Sequence, residues 1–221
     1  MTSWSKIIGL FMLLGVLTVA GVFWLKSRLT THEFTTDAST QQFIIGNDVL
    51  EIPLNMLRFA SQRKKDVLNR ADLVMYWVDG TGFLEANRRA FLTPDGARDL
   101  IFLTLSQRSV NAEMSQRLKP IYSKLLSGSP QLGPADLTLR KFTRGSGYDG
   151  EELAISAGGD PPWVARCQRD DQLASPTCMR DFFVGSGLIV RYRFSRTLLP
   201  YWQEIEMLVS RKLSHIVTTG K

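Results

Sequence analysis

Apolar and polar positions change their rhythm several times along this chain, and each rhythm predicts a different element. The first stretch has no rhythm: Ile7 to Leu25, IIGLFMLLGVLTVAGVFWL, is nineteen residues without a charge. As a helix it would reach roughly 28 Å, close to the roughly 30 Å hydrocarbon core of a bilayer, and it lacks the polar face of a buried core helix. Lys6 and Lys26 bracket it, and Trp4, Phe23 and Trp24 fall where amphipathic rings favour headgroups. A cleaved secretory signal is the alternative, since Thr18-Val19-Ala20 loosely resembles a processing site, but the apolar run continues to Leu25. The run therefore predicts a single transmembrane anchor over 7–25 behind a short tail over 1–6. It has neither a GxxxG face nor an ionisable residue, so the expected role is a tether rather than a conduit.

Residues 26–42 are polar and hold five threonines between Thr30 and Gln42, which predicts a Thr-rich juxtamembrane linker. A domain is expected over 43–217, followed by a tail over 218–221. FIIGNDVLEIP, from Phe43, reads as a hairpin turning at Gly46-Asn47-Asp48. LNMLRFASQRKKDVLNR, from Leu54, reads as a short basic helix with Leu54, Leu57, Val67 and Leu68 turned inward. Strands are expected over Asp72–Val78 and Asp99–Leu105, with a helical turn over Phe83–Phe91 between them. Met114, Leu118, Ile121, Tyr122 and Leu125 fall at helical spacing and predict an amphipathic helix over Asn111–Leu126, kinked at Pro120 and ended by Ser127-Gly128-Ser129-Pro130.

The next stretch alternates with period two and predicts strands over Leu137–Thr143, Glu152–Ser156, Trp163–Gln168, Cys178–Val184 and Leu188–Phe194. The last two are joined through Gly185-Ser186-Gly187. In the final strand Val190, Tyr192 and Phe194 alternate with Arg191, Arg193 and Ser195, the mark of one wet face. Arg196–Val217 closes the chain as a helix that places Leu198, Leu199, Trp202, Ile205, Leu208, Val209, Leu213 and Ile216 on one side. The expected class is α+β: the anchor, then one soluble domain with a mainly antiparallel sheet and packed helices, the C-terminal amphipathic helix among them.

Composition narrows the function classes more than the fold. The chain has 221 residues and a formal charge of +6, enough for one domain and compatible with an anionic partner without requiring one. Its two histidines, His32 and His215, are too few for a histidine-based triad or a multi-histidine metal site, and neither GSG triplet fits a nucleophile elbow. No phosphate-binding loop, dinucleotide fingerprint or zinc motif is present, so no catalytic, cofactor or metal residue is assigned. Nucleic acid is not an expected partner, because the aromatics read as core.

Two features remain. Cys167 and Cys178, with ten residues between them including Pro176, are spaced to close a disulfide worth about 3 kcal/mol in the chain-entropy model, or to remain unlinked thiols. A bridge requires an oxidising compartment. With the short N-terminal tail, it favours an inner-membrane, single-pass layout with the N-terminus cytoplasmic and the domain periplasmic. The basic segment Arg58, Arg63, Lys64, Lys65 and Arg70 reads as a solvated face or as a patch for anionic lipid, glycan or an acidic partner. The expectation is a non-enzymatic envelope protein that binds a protein partner or envelope component. An envelope-acting hydrolase using Asp149, Glu151, Glu152 or Asp160 is the rival. Pro161-Pro162-Trp163 reads as a partner-binding edge or as a rigid strand entry with a buried indole.

Overall fold

The structure, a computed structural model, describes residues 34–169 and 175–218, and the fold is that of the unit Thr35–Lys221. In chain order the strands and helices are β1 (Thr40–Ile45), β2 (Asp48–Pro53), β3 (Arg70–Tyr76), α1 (Arg88–Leu92), β4 (Leu100–Gln107), β5 (Leu126–Leu132), β6 (Leu137–Phe142), β7 (Glu151–Gly159), β8 (Pro162–Gln168), β9 (Thr177–Val184), β10 (Leu188–Ser195) and α2 (Trp202–Ile216). Strands β1 and β2 form a hairpin; the other eight form one antiparallel sheet in the order β3-β4-β10-β9-β8-β7-β6-β5.

Period-two alternation sends Leu73, Ile101, Leu103, Val190, Tyr192, Ala165 and Ala154 to one face of the sheet, where they share a core with Phe43, Leu50 and Ile52 of the hairpin and Ile205, Val209 and Leu213 of α2. Asp48, only 1% exposed, fastens the hairpin there by accepting hydrogen bonds from the backbone N–H groups of Ser186 (2.8 Å) and Gly187 (2.9 Å) and from the Ser186 hydroxyl (3.0 Å). Gly185 sits at φ +59°, and a Cβ there would lie 2.5 Å from the Asp48 carboxylate, so this turn requires glycine for both reasons. A smaller cluster of Met114, Tyr122, Phe142, Leu153 and Val164 covers the opposite face over β6 to β8.

The sheet is weakest at its middle. Strands β8 and β9 pair over only two positions, Arg166 with Met179 and Cys167 with Cys178. The two cysteines face each other directly and form a disulfide, and both are fully buried. Beyond them the ladder stops and residues 113–117 take over its hydrogen bonds. The Glu113 carboxylate accepts from the Phe183 N–H, the Met114 N–H donates to Asp181, and the Arg180 guanidinium reaches both the Val164 carbonyl and the Ser115 hydroxyl. Buried polar groups are thereby satisfied by side chains where strand pairing ends.

These observations correct the α+β expectation. Among the described residues the only α-helices are α1, of five residues, and α2, of fifteen, against ten strands, so the class is mostly antiparallel β. The basic helix from Leu54 is instead two 3₁₀ turns, Leu54–Met56 and Gln62–Lys64, and Val67 is 64% exposed. Asn111–Leu126 is a run of turns ending in a 3₁₀ turn, Tyr122–Leu125: Pro120 has no N–H to continue a helical ladder, and Tyr122 and Ser123 donate instead to Arg117 and Leu118, five residues back. The segment expected to end that helix is itself the edge strand β5, distorted by a register shift between Ser127 and Gln131. The transmembrane span expected over 7–25 lies outside the described residues, and among those described no helix is long and apolar enough to cross a membrane.

Because the disulfide clasps the two halves of the sheet where backbone pairing is shortest, Cys167→Ala or Cys178→Ala should lower stability by about 2–3 kcal/mol, and the double variant should be no worse than either single one. Urea midpoints measured with and without reductant check this; an unchanged midpoint for the reduced wild type would contradict it.

Candidate partner-binding face

Opposite the core, the register of β3, β4, β10 and β9 sets side chains in rows across the sheet. One row reads Arg70, Ser106, Ile189, Phe183; the next Asp72, Thr104, Arg191, Asp181; the third Val74, Phe102, Arg193, Met179. The two carboxylates in these rows are both consumed internally. Asp72 receives Arg70 (2.9 Å), Gln62 (3.1 Å) and the Thr104 hydroxyl (3.0 Å). Asp181 lies directly across from Arg191, yet its carboxylate is turned to Arg117 (2.6 Å) and the Met114 N–H (2.8 Å), and its side chain is 3% exposed.

Arg191 and Arg193 are therefore exposed cations, and among the described residues no carboxylate lies within ion-pair distance of either. Aromatic rings hold part of this charge in place. The guanidinium groups of Arg58 and Arg193 both lie over the Phe102 ring, each 5.3 Å from its centroid, and Arg58 also lies 5.1 Å from Phe59. At one border Arg108 covers Phe183 at 4.7 Å. At the other, Pro94, Arg98, Leu100, Phe102, Pro176 and Arg193 line a cavity of about 230 Å³. The arrangement holds positive charge against apolar walls, a chemistry suited to binding carboxylates and adjoining apolar groups.

The basic segment expected from the sequence does not act as one patch. Arg58 joins the face just described, Arg63 donates to the Leu57 carbonyl (2.9 Å), and Arg70 pairs with Asp72. Lys64 and Lys65 are exposed to solvent. Arg191 and Arg193 are the exposed cations of the sheet face itself, and their signal in the sequence was the wet side of the alternating strand. Nothing in the sequence showed that Asp181 would be diverted to Arg117.

The acidic residues weighed for hydrolysis do not converge. Asp149 accepts from the Gly145 N–H (2.9 Å), and Asp160 is exposed between β7 and β8. Glu151 and Glu152 are neighbours on β7 and so point to opposite faces. Glu151 lies 3.2 Å from Arg166, in ion-pair range but outside hydrogen-bonding alignment, and Glu152 is buried against Arg196. Ser186 of the second GSG triplet donates to Asp48, and Trp163 enters β8 as a buried indole.

Glu206 of α2 is a different kind of carboxylate, engaged by three strands at once. It accepts from the Tyr192 hydroxyl of β10 (2.5 Å), the Trp163 indole of β8 (2.9 Å) and Arg180 of β9 (3.2 Å), bridging the point where β8 and β9 part. Burial, then the Glu206 charge, pushes the Tyr192 phenol well above its ordinary value; burial also raises Tyr122, opposed by Arg117 and Arg166. The network joins α2 to the sheet and is structural.

No protein-family model and no curated protein matches the chain. Among solved structures it is similar to Smlt3025, described as an immunity protein of the Stenotrophomonas maltophilia type IV secretion system, with a TM-score of 0.56 and 14% identity over 82% of this chain and 94% of that one. The likeness is one of fold.

The Tyr192 site sets an alkaline limit. A phenol whose folded value is raised costs nothing below its unfolded value of about 10, and stability falls as pH climbs from there towards the folded value. Tyr192→Phe should lower stability at pH 8 by about 1 kcal/mol through lost hydrogen bonds, while weakening the decline above about pH 10. Urea midpoints between pH 8 and 11 check both signs; an equally steep decline in the variant would contradict the assignment.

Proposed function

We propose that this chain is a non-enzymatic binding protein that works in an extracytoplasmic, oxidising compartment by engaging a protein partner. The observation that carries the reading is the sheet face on which Asp72 and Asp181 are both satisfied internally while Arg191 and Arg193 are left exposed and unpaired. Two like charges held side by side against apolar walls give a surface complementary to an acidic partner. The fold is shared with a solved structure described as an immunity protein of a type IV secretion system, and a binding role for this chain agrees with that description. The buried Cys167–Cys178 bridge supports the compartment, because reducing cytosol does not maintain structural disulfides in most organisms.

Crosslinking the tagged full-length chain in its native envelope, then recovering it under mild detergent, should return the same protein partner in independent preparations. Absence of any reproducible partner would remove the reading. Maleimide-polyethylene glycol added to cells lysed directly in denaturant should leave the chain unshifted until reductant is supplied; modification of both cysteines without reductant would remove the compartment assignment.

A further inference from the structure

Resting on the protein-binding reading, we propose that the open face of β4 and β10 docks an acidic, extended segment of the partner, with carboxylates at alternate positions and an apolar side chain beside them. The occupant follows from three observations. The charge of the face is uncompensated within the chain, because its aspartates serve Arg70, Gln62, Thr104, Arg117 and the Met114 N–H. Its spacing is that of a strand: Arg191 and Arg193 project from one side of β10 roughly 7 Å apart, the repeat at which an extended chain presents every second side chain. Its walls are apolar, with Phe102 half-buried beneath the guanidinium groups of Arg58 and Arg193 and the 230 Å³ cavity of Pro94, Leu100 and Pro176 alongside.

Ring stacking also restricts the arginine side chains before binding, so less rotamer freedom is lost when a carboxylate arrives. A glycan or a lipid headgroup would match the charge but supplies no apolar side chain at the spacing of the arginines. Asp and Glu side chains two residues apart in an extended segment match both.

The test places a benzoylphenylalanine photo-crosslinker in the full-length chain at position 106, on this face, or at position 132, on the distant edge strand β5 where Leu132 is 89% exposed. Irradiation in the native envelope should give a protein adduct from position 106 that maps to an Asp/Glu-rich segment. Its yield should drop at least about tenfold in the double variant R191E/R193E and fall with added salt. That variant should melt within about 4 °C of the wild type, because neither arginine has an ion-pair partner to lose and only the exposed stacking of Arg193 on Phe102 is given up. An adduct from position 132 alone would overturn the docking face while leaving the protein-binding reading intact. No adduct and no recoverable partner from either position would overturn both. Binding of purified protein to phosphatidylglycerol vesicles or heparin that is abolished in R191E/R193E, with no protein adduct, would replace the acidic segment by a lipid or a glycan.

Discussion

The join between β8 and β9 is the constraint on which the rest of the architecture depends. Eight strands in one sheet would ordinarily be held by continuous ladders, yet here the two halves share two register positions, one of them the disulfide. The disulfide provides a covalent link where backbone pairing is short. Glu206 provides a second link on the core side by collecting donors from β8, β9 and β10. Residues 113–117 provide a third by supplying side-chain partners for strand groups that no longer face another strand. Of the backbone groups left without a ladder partner, the Phe183 N–H donates to the Glu113 carboxylate and the Val164 carbonyl accepts from the Arg180 guanidinium.

The same join decides where free charge accumulates. Asp181 stands opposite Arg191 on the neighbouring strand and would pair with it in a plain sheet. The segment beside the join brings Arg117 and the Met114 N–H to Asp181 instead, a pair more deeply buried than an exposed cross-strand contact could be. Arg191 is left without its nearest counter-charge, and Arg193, in the adjoining row, has only the Phe102 ring beneath it. Structural satisfaction at the centre of the sheet thus leaves an unsatisfied surface on one side, and it ties the proposed recognition face to the integrity of the join.

How much of this was legible depended on whether the signal was local. The hairpin at Gly46-Asn47, the strands around Trp163, Cys178 and Leu188, and the terminal helix all carry their periodicity within a few residues. The strands form close to the expected bounds, whereas the terminal helix is 3₁₀ over Arg196–Tyr201, where Pro200 lies, and α-helical only over Trp202–Ile216. The stripe from Met114 to Leu125 carries a helical period equally well, but Pro120 interrupts the ladder and the demands of Asp181, Arg180 and the Phe183 N–H draw the segment into turns. The basic run after Leu54 has too few inward residues to sustain a helix once Leu57 bridges to Leu73 at the sheet edge. Strand β5, with Gly128 and Pro130 inside it, carries breaker residues that are tolerated because it is an edge.

The sequence by itself determined the alternating strands, the wet side that carries Arg191 and Arg193, a cysteine pair spaced to close, and the charge-free run from Ile7 to Leu25. These are properties of neighbours along the chain, and period, length and composition express them directly. Only the tertiary structure decided the mostly β class, the parting of β8 from β9, and the fate of each aspartate. Those outcomes turn on which of several competing partners a buried group meets: Met114 lies 67 residues from Asp181, Ser186 lies 138 from Asp48, and the partners of Glu206 lie 14, 26 and 43 residues away. Hydrogen-bond satisfaction across such distances leaves no period in the sequence, so the free face becomes visible only once the buried groups have chosen their partners.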